Sequence, residues 1–128
     1  MNESAEDYIK TLYILKRRIG AVRSVDVARE MGFSRASVST AMTNLRKKGI
    51  IVMEKNGSID FTEKGAEVAE GIFEKYSTLI GFLQVVAGVD EETAREDACK
   101  MEHGLSESTY SGIRRYVRSH AQAEPHPV

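Results

Sequence analysis

The sequence predicts a mainly α-helical fold in two parts. The first is three helices closed by a two-stranded hairpin; the second is helical throughout. Three observations carry this. Apolar residues recur at spacings of three and four through six separate stretches, the helical period. The pair Asn56-Gly57 stands between two short β-type runs, the strongest short-range hairpin signal. Two short helical stretches before that hairpin are joined only by a tight turn around Gly32-Phe33-Ser34.

In order, Ala5 to about Ile19 reads as the first helix. Tyr8, Leu12, Leu15 and Ile19 form its stripe, with Ile9 and Tyr13 beside them. Ser4 is the expected N-cap, and Glu6 and Asp7 sit in the positive first turn. Gly20 ends it. Ser24 to Met31 is a short second helix, capped by Ser24, with Val27 and Ala28 facing inward and Gly32 as its stop. A third helix begins at Ser34 or Arg35 and runs to about Lys48, stopped by Gly49, with Val38, Ala41, Met42 and Leu45 on its apolar side. Ile50 to Glu54 and Ile59 to Phe61 then pair across Lys55-Asn56-Gly57-Ser58.

Thr62 caps a long helix of about six turns at 3.6 residues per turn. It carries Val68, Ile72, Phe73, Tyr76, Leu79, Ile80, Leu83 and Val86 before Gly88. Asp90 caps the next helix, which Glu91 and Glu92 open. A last helix spans Ser106 to about His120 through Ile113, Tyr116 and Val117. The expected division is a winged helix-turn-helix over residues 1–65, an α-helical dimerisation domain over 66–120, and a flexible tail over 121–128 containing Pro125 and Pro127. His120 and His126 are expected to be solvated.

The bulk numbers narrow the function. The chain has 128 residues, 41% hydrophobic and 29% charged, with no apolar run near the ~20 residues of a membrane span. Its acidic N-terminus lacks the basic and apolar regions of a signal peptide, and one cysteine forms no internal disulfide, which together point to a reducing cytoplasm. A net charge of −1 argues against a general nucleic-acid binder, but the distribution is uneven. Up to Gly65 there are 12 basic and 8 acidic residues; after it there are 6 and 11. Polyanion contact belongs to the first half. No nucleophile–base constellation and no phosphate-binding glycine loop suggests an enzyme or a small organic substrate.

Two sets of residues carry chemistry. The outer face of the third helix reads Ser34, Arg35, Ser37, Ser39, Thr40, Thr43, Asn44, Arg46 and Lys47, with no acid between Ser34 and Lys48. Hydroxyls and arginines in that pattern suit base edges and phosphates in the major groove of double-stranded DNA, and Lys55 at the hairpin tip suits a phosphate. One winged helix gives modest specificity, so a homodimer reading a palindromic operator is expected.

The second set is Cys99, Glu102 and His103. At i, i+3 and i+4 of a helix they share one face, and thiolate, carboxylate and imidazole together suit iron(II), manganese(II), cobalt(II) or zinc(II). Three donors leave the shell incomplete, so a fourth comes from elsewhere. Against this stands the plain reading: a lone cysteine is usually a small buried hydrophobe.

The residues Glu6-Asp7-Tyr8-Ile9-Lys10-Thr11-Leu12-Tyr13, the helix-turn-helix with Ser37-Val38-Ser39, Leu45 and Gly49, the start Thr62-Glu63-Lys64-Gly65, and Glu102-His103-Gly104-Leu105-Ser106 resemble the diphtheria-toxin-repressor family. That family includes iron-dependent repressors and manganese-transport regulators. The resemblance runs from about residue 4 to 118, and the length is similar to the short manganese branch, which lacks a C-terminal SH3-like domain.

The resemblance implies a metal-dependent transcriptional repressor whose ligands are Asp7, Cys99, Glu102 and His103. Asp7 matches the manganese branch and Cys99 the iron branch. It also implies that a second site is absent: Tyr76, Ile80, Arg95 and Lys10 stand where the family has further ligands. One metal per subunit is therefore expected. The thiolate favours iron(II), with manganese(II) second and cobalt(II), zinc(II) or nickel(II) as surrogates. Two other readings share the scaffold: a metal-independent winged-helix regulator, and a winged-helix protein-interaction module.

Overall fold

The computed structural model describes residues 2–120; the expected tail at 121–128 lies outside them. Helix α1 spans Glu3–Ile19, α2 Ser24–Met31, α3 Arg35–Lys47, α4 Glu63–Phe82, α5 Glu91–Met101 and α6 Glu107–His120, with strands β1 Ile51–Met53 and β2 Ile59–Phe61 between α3 and α4. The chain forms two compact units, one up to Ile72 and one from Phe73 on, so α4 contributes to both. Among the described residues no helix is long and apolar enough to cross a membrane.

The first unit is a winged helix. Its core gathers Ile9 and Leu12 of α1, Val27 of α2, Val38, Met42 and Leu45 of α3, and Ile50, Ile51 and Ile59 of the hairpin, all at most 2% exposed. The helical residues among these are the positions that the spacings of three and four select. β1 and β2 run antiparallel with Val52 opposite Asp60. A third short edge joins them, because Val22 bridges Ile59 and its carbonyl accepts the Ile59 N–H at 2.7 Å.

Several helix ends differ from the sequence expectation. The α1 cap is Asn2, not Ser4: the Asn2 side-chain oxygen accepts the Ala5 N–H at 2.8 Å, and the Glu6 N–H reaches the Asn2 carbonyl at 3.1 Å. Starting earlier gives α1 more backbone hydrogen bonds and leaves Ser4 inside the first turn. α2 is capped at Arg23, not Ser24. Asp26 turns back to accept the Arg23 N–H at 2.9 Å, and Ser24 is the first helical residue. Ile19 is 50% exposed, because α1 ends there and the core turns away at Gly20.

The start of α4 explains Thr62-Glu63-Lys64-Gly65. The Thr62 hydroxyl accepts the Gly65 N–H at 3.0 Å and donates to the Gly49 carbonyl at 2.5 Å, and the Thr62 N–H bonds the Ile50 carbonyl at 3.0 Å. A Cβ on Gly65 would lie 1.8 Å from the Ile50 carbonyl oxygen. Only glycine permits that approach.

In the second unit, Tyr76, Leu79 and Ile80 of α4, Ala94 and Ala98 of α5 and Val117 of α6 are buried. The long helix is shorter than its apolar pattern suggests. Leu83–Ala87 form a π-helical turn that ends at Gly88 in the left-handed region, leaving Val85 and Val86 54% and 51% exposed. Tyr116 is also exposed, stacked on His120 at 4.1 Å. Asp90 caps α5 through the Thr93 N–H at 2.8 Å, as its position predicts.

Candidate metal centre and nucleic-acid interface

Helix α5 ends at Met101, so the helical spacing of the three second-half donors holds only in part. Glu102 keeps helical backbone angles and its N–H still bonds the Ala98 carbonyl at 3.0 Å, but His103 lies in the turn that follows. That turn brings the two together: His103 Nε2 is 3.7 Å from Glu102 Oε1, with the side chains 10% and 4% exposed. Cys99 is half-buried one turn earlier on α5. Among the described residues of this unit, its sulfur forms no three-donor group with them within 4.8 Å. A sheltered carboxylate–imidazole pair with a thiol on the preceding turn is a donor set for a borderline divalent metal rather than a hard alkaline-earth ion.

In the first unit Asp7 sits on the opening turns of α1, with its side chain 34% exposed. Lys10 lies one turn on, its ammonium 3.7 Å from Asp7 Oδ1 and its side chain only 8% exposed. A sheltered lysine needs a counter-charge nearby, and Asp7 supplies one. Three further residues stand at the other positions expected to lack ligands. Tyr76 and Ile80 are buried at 7% and 0%, and the Arg95 guanidinium holds Glu91 at 2.8 Å.

α3 presents the expected polar face. Arg35, Ser37, Ser39, Thr40, Arg46 and Lys47 are exposed, and Thr43 is half-buried at the edge of that face. Ser34 is the N-cap: its hydroxyl accepts the Ser37 N–H at 3.1 Å and lies 3.0 Å from the Ser37 hydroxyl, so its first role is to start the helix. Lys55 is exposed at the wing tip, in a turn closed by the Gly57 N–H on the Glu54 carbonyl at 3.0 Å.

Two features were not legible in the sequence: a groove beside α3 and the contacts that hold the wing. Asn44, exposed on α3, lines an open groove of 460 Å³ together with Ser37, Thr40 and the α1 residues Ser4 and Tyr8. Asn44 itself stands on the expected polar face, four residues after Thr40. The second is a set of long-range contacts that hold the wing. Lys16 donates to Asp60 Oδ1 at 2.6 Å and to the Ile59 carbonyl at 3.0 Å, and Arg23 donates to the Asn56 carbonyl. The Lys16 ammonium holds the Asp60 carboxyl below its ordinary value. No local pattern announces these contacts.

Comparison with known proteins adds the following. Residues 1–59 match the family model described as "Iron dependent repressor, N-terminal DNA binding domain". Residues 62–127 match "Iron dependent repressor, metal binding and dimerisation domain". An uncharacterised HTH-type transcriptional regulator of Methanocaldococcus jannaschii is 31% identical over 118 residues, covering 91% of this chain and 94% of that protein. The HTH-type transcriptional regulator MntR of Bacillus subtilis is 32% identical over 115 residues, covering 90% and 80%. The crystal structure of IdeR from T. acidophilum superposes with a TM-score of 0.78 at 24% identity, over 86% of this chain, which speaks for the fold. The chain spans about half of that solved structure, 52%.

Proposed function

We propose a function for a chain that belongs to the iron-dependent repressor family of metal-dependent, DNA-binding transcriptional regulators: it represses genes of metal uptake or homeostasis when one divalent ion is held by Asp7, Cys99, Glu102 and His103. The observation that carries this is the sheltered Glu102–His103 pair at 3.7 Å, inside the segment that matches the metal-binding domain. Asp7 and Cys99 complete the set on the strength of the motif positions they occupy. When bound, the ion supplies a divalent charge with directional bonds to donors from separate parts of the chain.

The chain's own residues do the rest. α3 presents Arg35, Ser37, Ser39, Thr40, Thr43, Arg46 and Lys47 to a major groove, with Ser34 at its start, and Lys55 meets the flanking phosphates. Asp7 belongs to the DNA-binding segment; Cys99, Glu102 and His103 belong to the other. A ligand drawing on both favours the conformation that fits the operator, by its difference in affinity between the two states. By linkage, DNA then tightens metal binding by the same factor. The working form is a cytoplasmic homodimer on a palindromic site. Cys99 favours iron(II), with manganese(II) second, and makes the site sensitive to oxidation.

The test is binding to duplex DNA from the protein's own upstream region, in chelator and then with iron(II) or manganese(II) added anaerobically, for the native chain and Asp7→Ala. Metal-dependent binding that Asp7→Ala loses while staying a folded dimer supports the reading. Equal binding in chelator favours a metal-independent regulator, and negligible binding even at low salt favours a protein-interaction module.

A further inference from the structure

The wing is two strands of three residues each, and a hairpin of that size is marginal by itself. Its tip stays in place only if something outside the hairpin holds it. Three contacts do so along β2 and the turn. Lys16 of α1 grips Asp60 and the Ile59 carbonyl. Val22 bridges Ile59, which fixes the residue before Arg23 against the wing's edge. Arg23 then spans from that edge to the tip. Its backbone N–H is tied down by Asp26, as the first link of α2, while its side chain donates to the Asn56 carbonyl. The guanidinium lies beside Gly57, with Nε and Nη2 each 3.5 Å from where a Cβ would stand, so it packs against the turn at ordinary contact distance. Gly57 also needs its left-handed backbone, at φ +87°. Lys55 is the neighbour of the clamped carbonyl.

From this geometry we infer that Arg23 is a positioning residue: it fixes the wing tip to the start of the helix-turn-helix, so that Lys55 meets a DNA phosphate at a set distance from α3. The inference rests on the DNA-binding reading above and adds the residue that makes the wing count. Arg23 suits the task because its planar fork reaches a backbone carbonyl without needing a carboxylate partner. It acts through Lys55 and does not itself touch DNA.

A double-mutant cycle on the full chain tests this. The dissociation constant for a labelled random-sequence 30-base-pair duplex is measured with manganese(II) bound, from low to moderate salt. Lys55→Ala, losing one phosphate contact per subunit and so two per homodimer, weakens binding about a hundredfold near 50 mM salt and lowers the salt slope by about 1.8. Arg23→Ala does the same, and the double variant binds no more weakly than either single one. Arg23→Lys, which keeps a donor of similar reach, recovers most of the loss. Thermal melting of Arg23→Ala, unchanged because Arg23 is exposed, separates clamping from misfolding. Effects that multiply would mean that Arg23 meets DNA or acts through its charge alone, and would overturn the inference. So would a neutral Arg23→Ala beside a harmful Lys55→Ala. A neutral Lys55→Ala would overturn both the inference and the wing's part in the DNA-binding reading.

Discussion

Replacing Gly65 with alanine sets two effects of opposite sign against each other. Gly65 lies in the first turns of α4, where alanine is preferred by about 1 kcal/mol. Propensity alone therefore predicts a more stable protein. The structure predicts the reverse. The new Cβ would stand 1.8 Å from the Ile50 carbonyl oxygen and 2.8 Å from its carbon. Restoring ordinary contact requires a separation of about 1.5 Å more. The Thr62 N–H to Ile50 bond, now 3.0 Å, would pass beyond hydrogen-bonding range. Overpacking costs about 1–3 kcal/mol and the lost hydrogen bond about 1 kcal/mol. After the helical gain is subtracted, the variant should be less stable by on the order of 2 kcal/mol. Urea unfolding followed by circular dichroism should show the midpoint about 1 M lower at an unchanged slope of about 2 kcal/mol per M. An unchanged or higher midpoint would refute the reasoning, because the α4 start would then have slid off Ile50 at no cost.

Lys10→Glu, which removes the ammonium beside Asp7 and adds a carboxylate, should raise bound manganese(II) from one per subunit to two; a count of one by calorimetry would show that Lys10 does not stand in for a cation. Val86→Asp should shift the protein towards monomer in sedimentation without unfolding it, since Val85 and Val86 form an exposed apolar pair in the dimerisation segment; an unchanged dimer would place the interface elsewhere. The Lys16–Asp60 pair gives a pH dependence with a defined sign. Asp60 has a lowered carboxyl pKa, so its contribution is present above the unfolded value near 4 and is lost as pH falls through the folded one. The stability difference between native protein and Asp60→Asn should therefore shrink below about pH 4. A difference that holds constant through that range would rule the pair out as a wing anchor.

What the sequence by itself determined is local. Periodicity placed the buried faces of α1 and α3, since Leu12, Val38, Met42 and Leu45 follow the helical period that any inward face must keep. Asp90 and Thr62 announced their caps because a cap needs only a hydrogen bond three residues away. Asn56-Gly57 announced the wing because the turn needs positive φ, which Gly57 supplies. The candidate donors were legible as residue types, and Glu102 and His103 met because they are neighbours in the chain. The start of α1 was not legible: Ser4 was the expected cap, and hydrogen bonding in the extra residues of α1 placed the cap at Asn2 instead.

Only the tertiary structure decided the rest. The apolar pattern through Val86 continues past the end of α4, but the chain enters a π-helical turn there, which displaces Val85 and Val86 from the helical period and into solvent. α5 stops at Met101, so His103 takes its place from a turn rather than from a helix face. Asn56 lies 33 residues from Arg23, and Asp60 lies 44 from Lys16. No periodicity links such positions, because their partners are chosen by how α1, α2 and the hairpin close over one core. The wing, and with it the setting of Lys55, is fixed by contacts that exist only once that core has formed.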